Sequence, residues 1–270
     1  MKAKLITCGI INLIIFANMA MADTVSPRRQ TFDLGFEASG IVYQEPGFSV
    51  KESGAMEGLY GAYEFRPQWP VLNVLHLDAH GDYANMDYKG SGTIKNINDF
   101  TAEPRIWLGQ DFNVFPQLQA TPYAGIGYRV LSDGLGGKVS STGAQGYDRL
   151  SQYLYAPVGF ELSTQAVDGW RFGFNAEYDI FIQGWQTSYL SAIQGYPDIT
   201  NTQKRGYGIR GSFDIVRKGN DFNFIVSPYI RYWNIRQSEI ATGNGSLFQV
   251  SDVEPANKST EIGMRVGVEF

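Results

Sequence analysis

Ten segments of the chain alternate apolar and polar residues with a period of two, each over eight to fourteen residues. The most regular is the last, residues 260–270. Ile262, Met264, Val266, Val268 and Phe270 fall on one face, and Glu261, Gly263, Arg265, Gly267 and Glu269 on the other. Successive side chains change faces along an extended strand, so the pattern specifies a β-strand with one apolar and one polar face. The other nine segments are residues 32–43, 57–66, 71–84, 105–112, 123–131, 153–162, 170–182, 207–216 and 222–234. A soluble strand usually runs to about five or six residues, whereas a tilted strand crossing a bilayer needs about nine to eleven. Length therefore favours strands that span a membrane, apolar face to lipid and polar face to a lumen.

The connections point the same way. Those at 67–70, 113–122, 163–169 and 217–221 are short, and those after residues 43, 84, 131, 182 and 234 are long and polar. Outer-membrane barrels close with an even number of antiparallel strands, short turns on the periplasmic side and long loops outside. The expected fold is all-β, a closed antiparallel transmembrane β-barrel of about ten strands, with eight and twelve as the adjacent even counts. Both termini then lie on the periplasmic side. Pro157 and Pro228 fall inside strands, where the missing N–H breaks a ladder bond, and a bulge is expected at each. Trp69 and Trp170 are placed near the periplasmic boundary of the membrane, and Tyr43, Trp185 and Trp233 near the outer one.

The N-terminus has a different character. Lys2 and Lys4 precede an apolar run over residues 5–17, followed by Ala20 and Ala22, which reads as a signal peptide cleaved before Asp23. The expected organisation is a signal over 1–22, a short periplasmic segment over 23–31 and one barrel domain over 32–270. Cys8 does not make a lipidation box, because the apolar stretch lies mostly after it. As the single cysteine of the chain, it leaves with the signal, and the mature protein has no disulfide. Loss of two lysines takes the net charge of -5 further negative, which argues against a nucleic-acid partner. A content of 31 glycines, 16 tyrosines and 17 phenylalanines suits turns and aromatic-belted strands.

The closing strand, with Met264, Val266 and Val268 leading to a terminal Phe270, resembles the signal read by the outer-membrane assembly machinery. The stretches TPYAGIGYRVL (121–131) and YLYAPVGFEL (153–162) resemble strands of small opacity-type, porin-like outer-membrane barrels. That resemblance implies a fold, an outer-membrane location and insertion by the barrel-assembly machinery. It implies no substrate and transfers no catalytic residue.

Chemistry is sought on the polar face. His76, Asp78, His80 and Asp82 recur at spacing two, so all four point into the lumen while Leu75, Leu77 and Ala79 face lipid. Imidazole and carboxylate together can bind zinc or a related metal, with a third and fourth ligand still to be found. The Asp78-x-His80 spacing is similar to the Asp–His pair of omptin proteases, also ten-stranded barrels, but the partner Asp-x-Asp motif is missing. Ser151 and Ser227 are ordinary candidates for a nucleophile. The preferred reading is plainer: the four residues belong to a polar interior, and no cofactor is expected.

The remainder of that interior is Glu37, Glu64, Asp111, Arg129, Glu161, Arg171, Asn175, Glu177, Arg210, Asp214, Arg231, Glu261 and Arg265. Register places Glu161 near Arg171, Glu177 near Arg210, and Glu37 towards Arg265 and Arg231 across the closure. Such ladders could plug a barrel or line a narrow cation-preferring pore. Ten strands lie close to the eight-stranded barrels that side chains fill, so a sealed or very narrow lumen is favoured. The loops at 132–149, 183–202 and 235–258 are the other candidates, for contact with lipopolysaccharide or an extracellular ligand. The expected role is structural or interactional at the cell surface, with narrow porin-like conductance as an accompanying expectation. The rival is an outer-membrane hydrolase using His76, Asp78 and His80.

Overall fold

The protein is described here by a computed structural model covering residues 30–246 and 249–270. The expected signal over 1–22 and the segment to residue 29 lie outside the described residues. In chain order the strands are β1 Gln30–Glu45, β2 Val50–Phe65, β3 Val74–Gly90, β4 Gly92–Gly109, β5 Phe112–Phe115, β6 Leu118–Gly134 and β7 Arg149–Thr164. Then follow β8 Trp170–Ser188, β9 Ile199–Gln203, β10 Gly206–Arg217, β11 Asn223–Ile235, β12 Ala241–Asn244, β13 Gln249–Asp252 and β14 Asn257–Glu269. Among the described residues the one helical element is a single 3-10 turn, Leu190–Ala192.

Ten of these strands form a closed antiparallel barrel: β1, β2, β3, β4, β6, β7, β8, β10, β11 and β14 each pair with the next. β14 then pairs with β1, placing Phe36 beside Val266 and Ala38 beside Met264. Closure leaves no free edge. The small strands are accessory: β5 extends the turn into β6, β9 adds to β8, and β12 with β13 makes a separate hairpin. Both described ends, Gln30 and Phe270, lie at the end of the barrel that carries the β2–β3, β7–β8 and β10–β11 connections.

Strand parity accounts for the lipid-type exterior. In the half of the barrel nearest the termini, Phe32, Leu34, Phe36, Leu59, Ile106, Ile126, Phe172, Phe213, Ile262 and Val266 all point outward and are exposed. An exposed apolar belt this continuous marks a surface that meets lipid or protein rather than water.

The polarity then inverts along the same strands. On β3 the inward residues run His76, Asp78, His80, Asp82 and then Ala84 and Met86, while the outward residues change from Leu77 to Asn85 and Asp87. Beyond the belt the interior is an apolar cluster of Ile41, Met56, Ala84, Met86, Ile94, Ile97 and Leu135. The segments expected as long loops after residues 43 and 84 are thus largely strand. β1 and β2 are joined over four residues, and β3 and β4 by Ser91 alone. The alternation ends at Tyr43 and Ala84 because it reverses phase there, while the backbone continues. A bulge at Asn96, with φ of 56°, turns both Ile94 and Ile97 inward. Asparagine is among the few residues that adopt that conformation readily.

Two other expectations are corrected. Neither Pro157 nor Pro228 makes a bulge. The β6–β7 and β10–β11 ladders lose their pairs beside the proline and resume in the same register, and the β7–β8 shift lies at Leu154/Tyr155. Tyr43 and Trp233 do not sit at a membrane boundary: they share the parity of Glu45 and Arg231, and both are buried inside. Inside the lumen, tyrosine rings lie over glycines of the neighbouring strand. Any side chain added at Gly127 meets the Tyr155 ring, and one added at Gly159 meets Tyr123. A missing Cβ there leaves room for a ring that carries its hydroxyl to the lumen centre.

Candidate functional site: the charged lumen

The centre of the lumen is a continuous ion-pair network. Arg210 on β10 reaches across to Glu103 on β4, four strands away around the barrel, and its Nε donates to Asp179 at 2.7 Å and lies 2.9 Å from Glu177. Arg105 on β4 donates to Asp78 and to Glu177, each at 2.8 Å. Tyr155 and Tyr123 supply hydroxyl donors to Glu103 and Glu177. On the other wall Arg231 clasps Glu37 with both terminal nitrogens at 3.1 Å and holds Glu261 at 2.9 Å, while Arg265 reaches Glu37 at 2.7 Å. Trp233 packs edge-on against Tyr155, with Arg129 and Arg210 over its indole. Glu103 is fully buried, and Glu37, Asp179, Glu177, Arg129, Arg231 and Arg210 are all buried.

These contacts cross the lumen from wall to wall. Ionic groups removed from water cost free energy that their pairing must offset, and each carboxylate here is held by guanidinium, imidazole or hydroxyl groups. Opposing walls are thereby tied together at mid-height.

Three of the four contacts expected from register form: Glu177 with Arg210, and Glu37 with Arg231 and with Arg265. The fourth does not. Arg171 pairs with Glu269, and Glu161 faces a cavity shared with Glu64 and His76. Asp111 closes a smaller group with Arg66 and Thr121.

The His76 to Asp82 row divides. His80 and Asp82 belong to the central network: Nδ1 of His80 lies 2.6 Å from Asp82 and Nε2 lies 3.3 Å from Glu103. Both ring nitrogens are thus engaged with carboxylates, and the side chains of His80 and Asp82 are each 2% exposed. A general base needs a free nitrogen within reach of a substrate. Glu37 completes a three-residue group within 4.8 Å, a donor set of the kind a metal uses, but both of its oxygens are already held by Arg231 and Arg265. His76 lies outside that group, 3.4 Å from Asp78, which Arg105 ties to the network, and the His76 ring stacks on Trp107 and that in turn on Tyr123. They line a cavity of about 690 Å³ that occupies the end of the lumen nearest the termini.

Sequence reasoning missed Glu103 and Asp179, two of the central anions. Glu103 was placed in a loop, and counting parity back from Arg105 would have put it, Thr101 and Asp99 on the inner face.

No protein-family model matches the chain, and no curated protein sequence is similar to it. Solved structures share its architecture. The outer membrane protease OmpT from Escherichia coli superposes with a TM-score of 0.57 over 92% of this chain and 99% of that one, at 11% identity. The toluene transporter TbuX from Ralstonia pickettii (TM-score 0.36, 9% identity, 90% of each chain) shows a looser likeness. So does the translocator domain of the autotransporter NalP from Neisseria meningitidis (0.37, 9%, 89% of each). The likeness to OmpT is one of fold: a closed ten-stranded antiparallel barrel.

Proposed function

We propose that the chain is an integral protein of the bacterial outer membrane, with both termini periplasmic, that acts as a sealed scaffold for surface loops rather than as a pore. The outward apolar belt supports a bilayer setting. The observation that carries the sealed role is the buried pair of Arg210 and Glu103 spanning the lumen, with Tyr155, His80 and Asp179 packed round it. A water-filled channel needs a wet path between such groups, as in barrels of sixteen or more strands. The loops at 135–148 and 189–198 and the β12–β13 hairpin then offer contacts to lipopolysaccharide or an extracellular ligand, and the strand ending at Phe270 serves insertion by the barrel-assembly machinery. A hydrolase at His80 would need that side chain released from Asp82 and Glu103.

Two measurements test this reading. With Cys8 as the chain's single cysteine, a cysteine placed at Ser141 should react with a membrane-impermeant maleimide on intact cells, and one placed at Lys218 should not. The reverse pattern, or protection of both, contradicts the orientation. Proteoliposomes should swell in isosmotic arabinose no faster than empty vesicles, and faster swelling contradicts the seal.

A further inference from the structure

Beyond the belt, three acids from three strands converge. Glu52 of β2, Asp99 of β4 and Asp133 of β6 bring carboxylate oxygens within 4.8 Å of one another, and all three side chains are buried. Cations are scarce around them. Among the described residues Arg149 alone lies at ion-pair distance, and it is divided among Glu45 (2.8 Å), Asp133 (3.0 Å), Glu52 (3.6 Å) and Glu254 (3.9 Å). Asp99 has no cation partner among the described residues; its one hydrogen bond is a long one, 3.4 Å, from the Gly134 amide.

Two further observations point to a ligand. Oδ1 of Asp133 and Oε1 of Glu52 are buried and accept no hydrogen bond, on residues 95% or more removed from solvent. Glu52, Asp99 and Asp133 also line a void of about 20 Å³ that Tyr43 and Ser151 share, and roughly 10–15 Å³ is enough for one small occupant. Anions this close cannot all stay charged in a dry site without a counter-ion. In the central seal every such carboxylate has a cationic or hydroxyl partner; here the partners are short.

We propose that Glu52, Asp99 and Asp133 form a binding site for one divalent cation, of which calcium is the best match. The donors are all carboxylate and hydroxyl oxygen, the hard set that calcium, magnesium and manganese share, with no imidazole or thiol to favour zinc. Carboxylate oxygens within 4.8 Å of one another can all meet on one small ion. Magnesium keeps several of its waters, and a 20 Å³ void has no room for them. The bound ion would tie β2, β4 and β6 together where the barrel leaves the belt, and fix the loop carrying Leu135 over the apolar cluster. This site is separate from the His76 to Asp82 row, in which Arg105 holds Asp78 and His80 holds Asp82.

The test is calorimetric titration of the refolded, chelator-treated chain with calcium chloride and then magnesium chloride. The wild type should take up one calcium per chain with a dissociation constant at or below about 1 mM, the weak end for extracellular calcium modules, and bind magnesium at least about tenfold more weakly. Asp99→Asn keeps the size of the side chain and disturbs no ion pair, so it should retain the gel shift of a folded barrel and lose the calcium heat. Should that variant fail to fold, Glu52→Gln serves the same comparison. No calcium uptake by the folded wild type, equal uptake by a folded variant, or magnesium bound as tightly as calcium each overturns the proposal.

Discussion

The same strands build two interiors of opposite character. Nearest the termini, residues such as Leu77 and Phe36 face out and His80, Glu37 and Glu103 face in; beyond the belt, Asn85 and Asp87 face out and Met86 and Ile41 face in. One half resembles a soluble protein turned inside out; the other has the apolar cluster of a soluble β-barrel, with a group of acids around Arg149 beside it. The difference lies in the solvent each meets. Where lipid surrounds the wall, apolar side chains gain nothing by turning inward, and the lumen is left to groups that satisfy one another. Where water surrounds it, burial of Met56, Met86 and Ile97 supplies the usual hydrophobic stabilisation. Along β3 the backbone parity is unbroken across that boundary, so polarity alone records where the belt ends.

The comparison can be broken by substitutions with opposite tolerance. Glu103→Ala leaves Arg210 buried without its cross-lumen partner and Tyr155 without an acceptor, and should cost about 3–5 kcal/mol in equilibrium unfolding from detergent micelles. Glu103→Leu should cost as much, since a hydrophobe does not relieve the stranded arginine. Met86→Ala in the apolar cluster should cost about 2–5 kcal/mol through the cavity it leaves, but Met86→Leu should stay within about 1.5 kcal/mol. If Glu103→Leu proves as harmless as Met86→Leu, the two interiors are not different in kind.

Smaller effects sharpen the contrast. Gly127→Val pushes the Tyr155 ring off its neighbour strand and away from Glu103. That overpacking should cost about 1–3 kcal/mol, and Gly137→Ala, at a loop glycine with open space but φ of +73°, should cost less. The smallest expected effect is electrostatic and lies in the loops. Burial pushes the Glu254 carboxyl up from its ordinary 4.5 to about 7, against the pull of Arg149. The folded loop then binds that proton more tightly than the unfolded chain does. Its stabilisation is complete below pH 4.5 and is lost as the pH rises through about 7. Amide protection in the β12–β13 hairpin, corrected for intrinsic exchange, should fall between about pH 5 and about pH 8 and stay level in Glu254→Gln. A wild type that stays level as well would remove Glu254 from the account.

Much of the barrel is legible in the sequence because lipid enforces the alternation that strand geometry makes visible. The ten strands, their closure by residues 260–270, and the contacts of Glu37 with Arg231 and Arg265 all follow from period and register. The limits are equally physical. Period-two reasoning stops where the solvent changes, so Glu103, Asp99 and Glu52 were lost into loops that are really strand. Asp179 and Glu269 stand beside recognised residues on the same face, yet nothing in one sequence says which of many lumen charges meet across the barrel. Arg171 chose Glu269 over Glu161 because side-chain reach, not register alone, selects the partner.

The central claim is that Arg210, Glu103 and their neighbours close the lumen, and the most direct test is electrical. The refolded protein, shown to be folded by its gel shift, is inserted into a planar bilayer and recorded under sustained voltage. Wild type should give no discrete conductance steps, while Arg210→Ala combined with Glu103→Ala, if it folds, should give small ones. Discrete steps from wild-type protein would show that ions pass the network, and the sealed-scaffold account would be wrong.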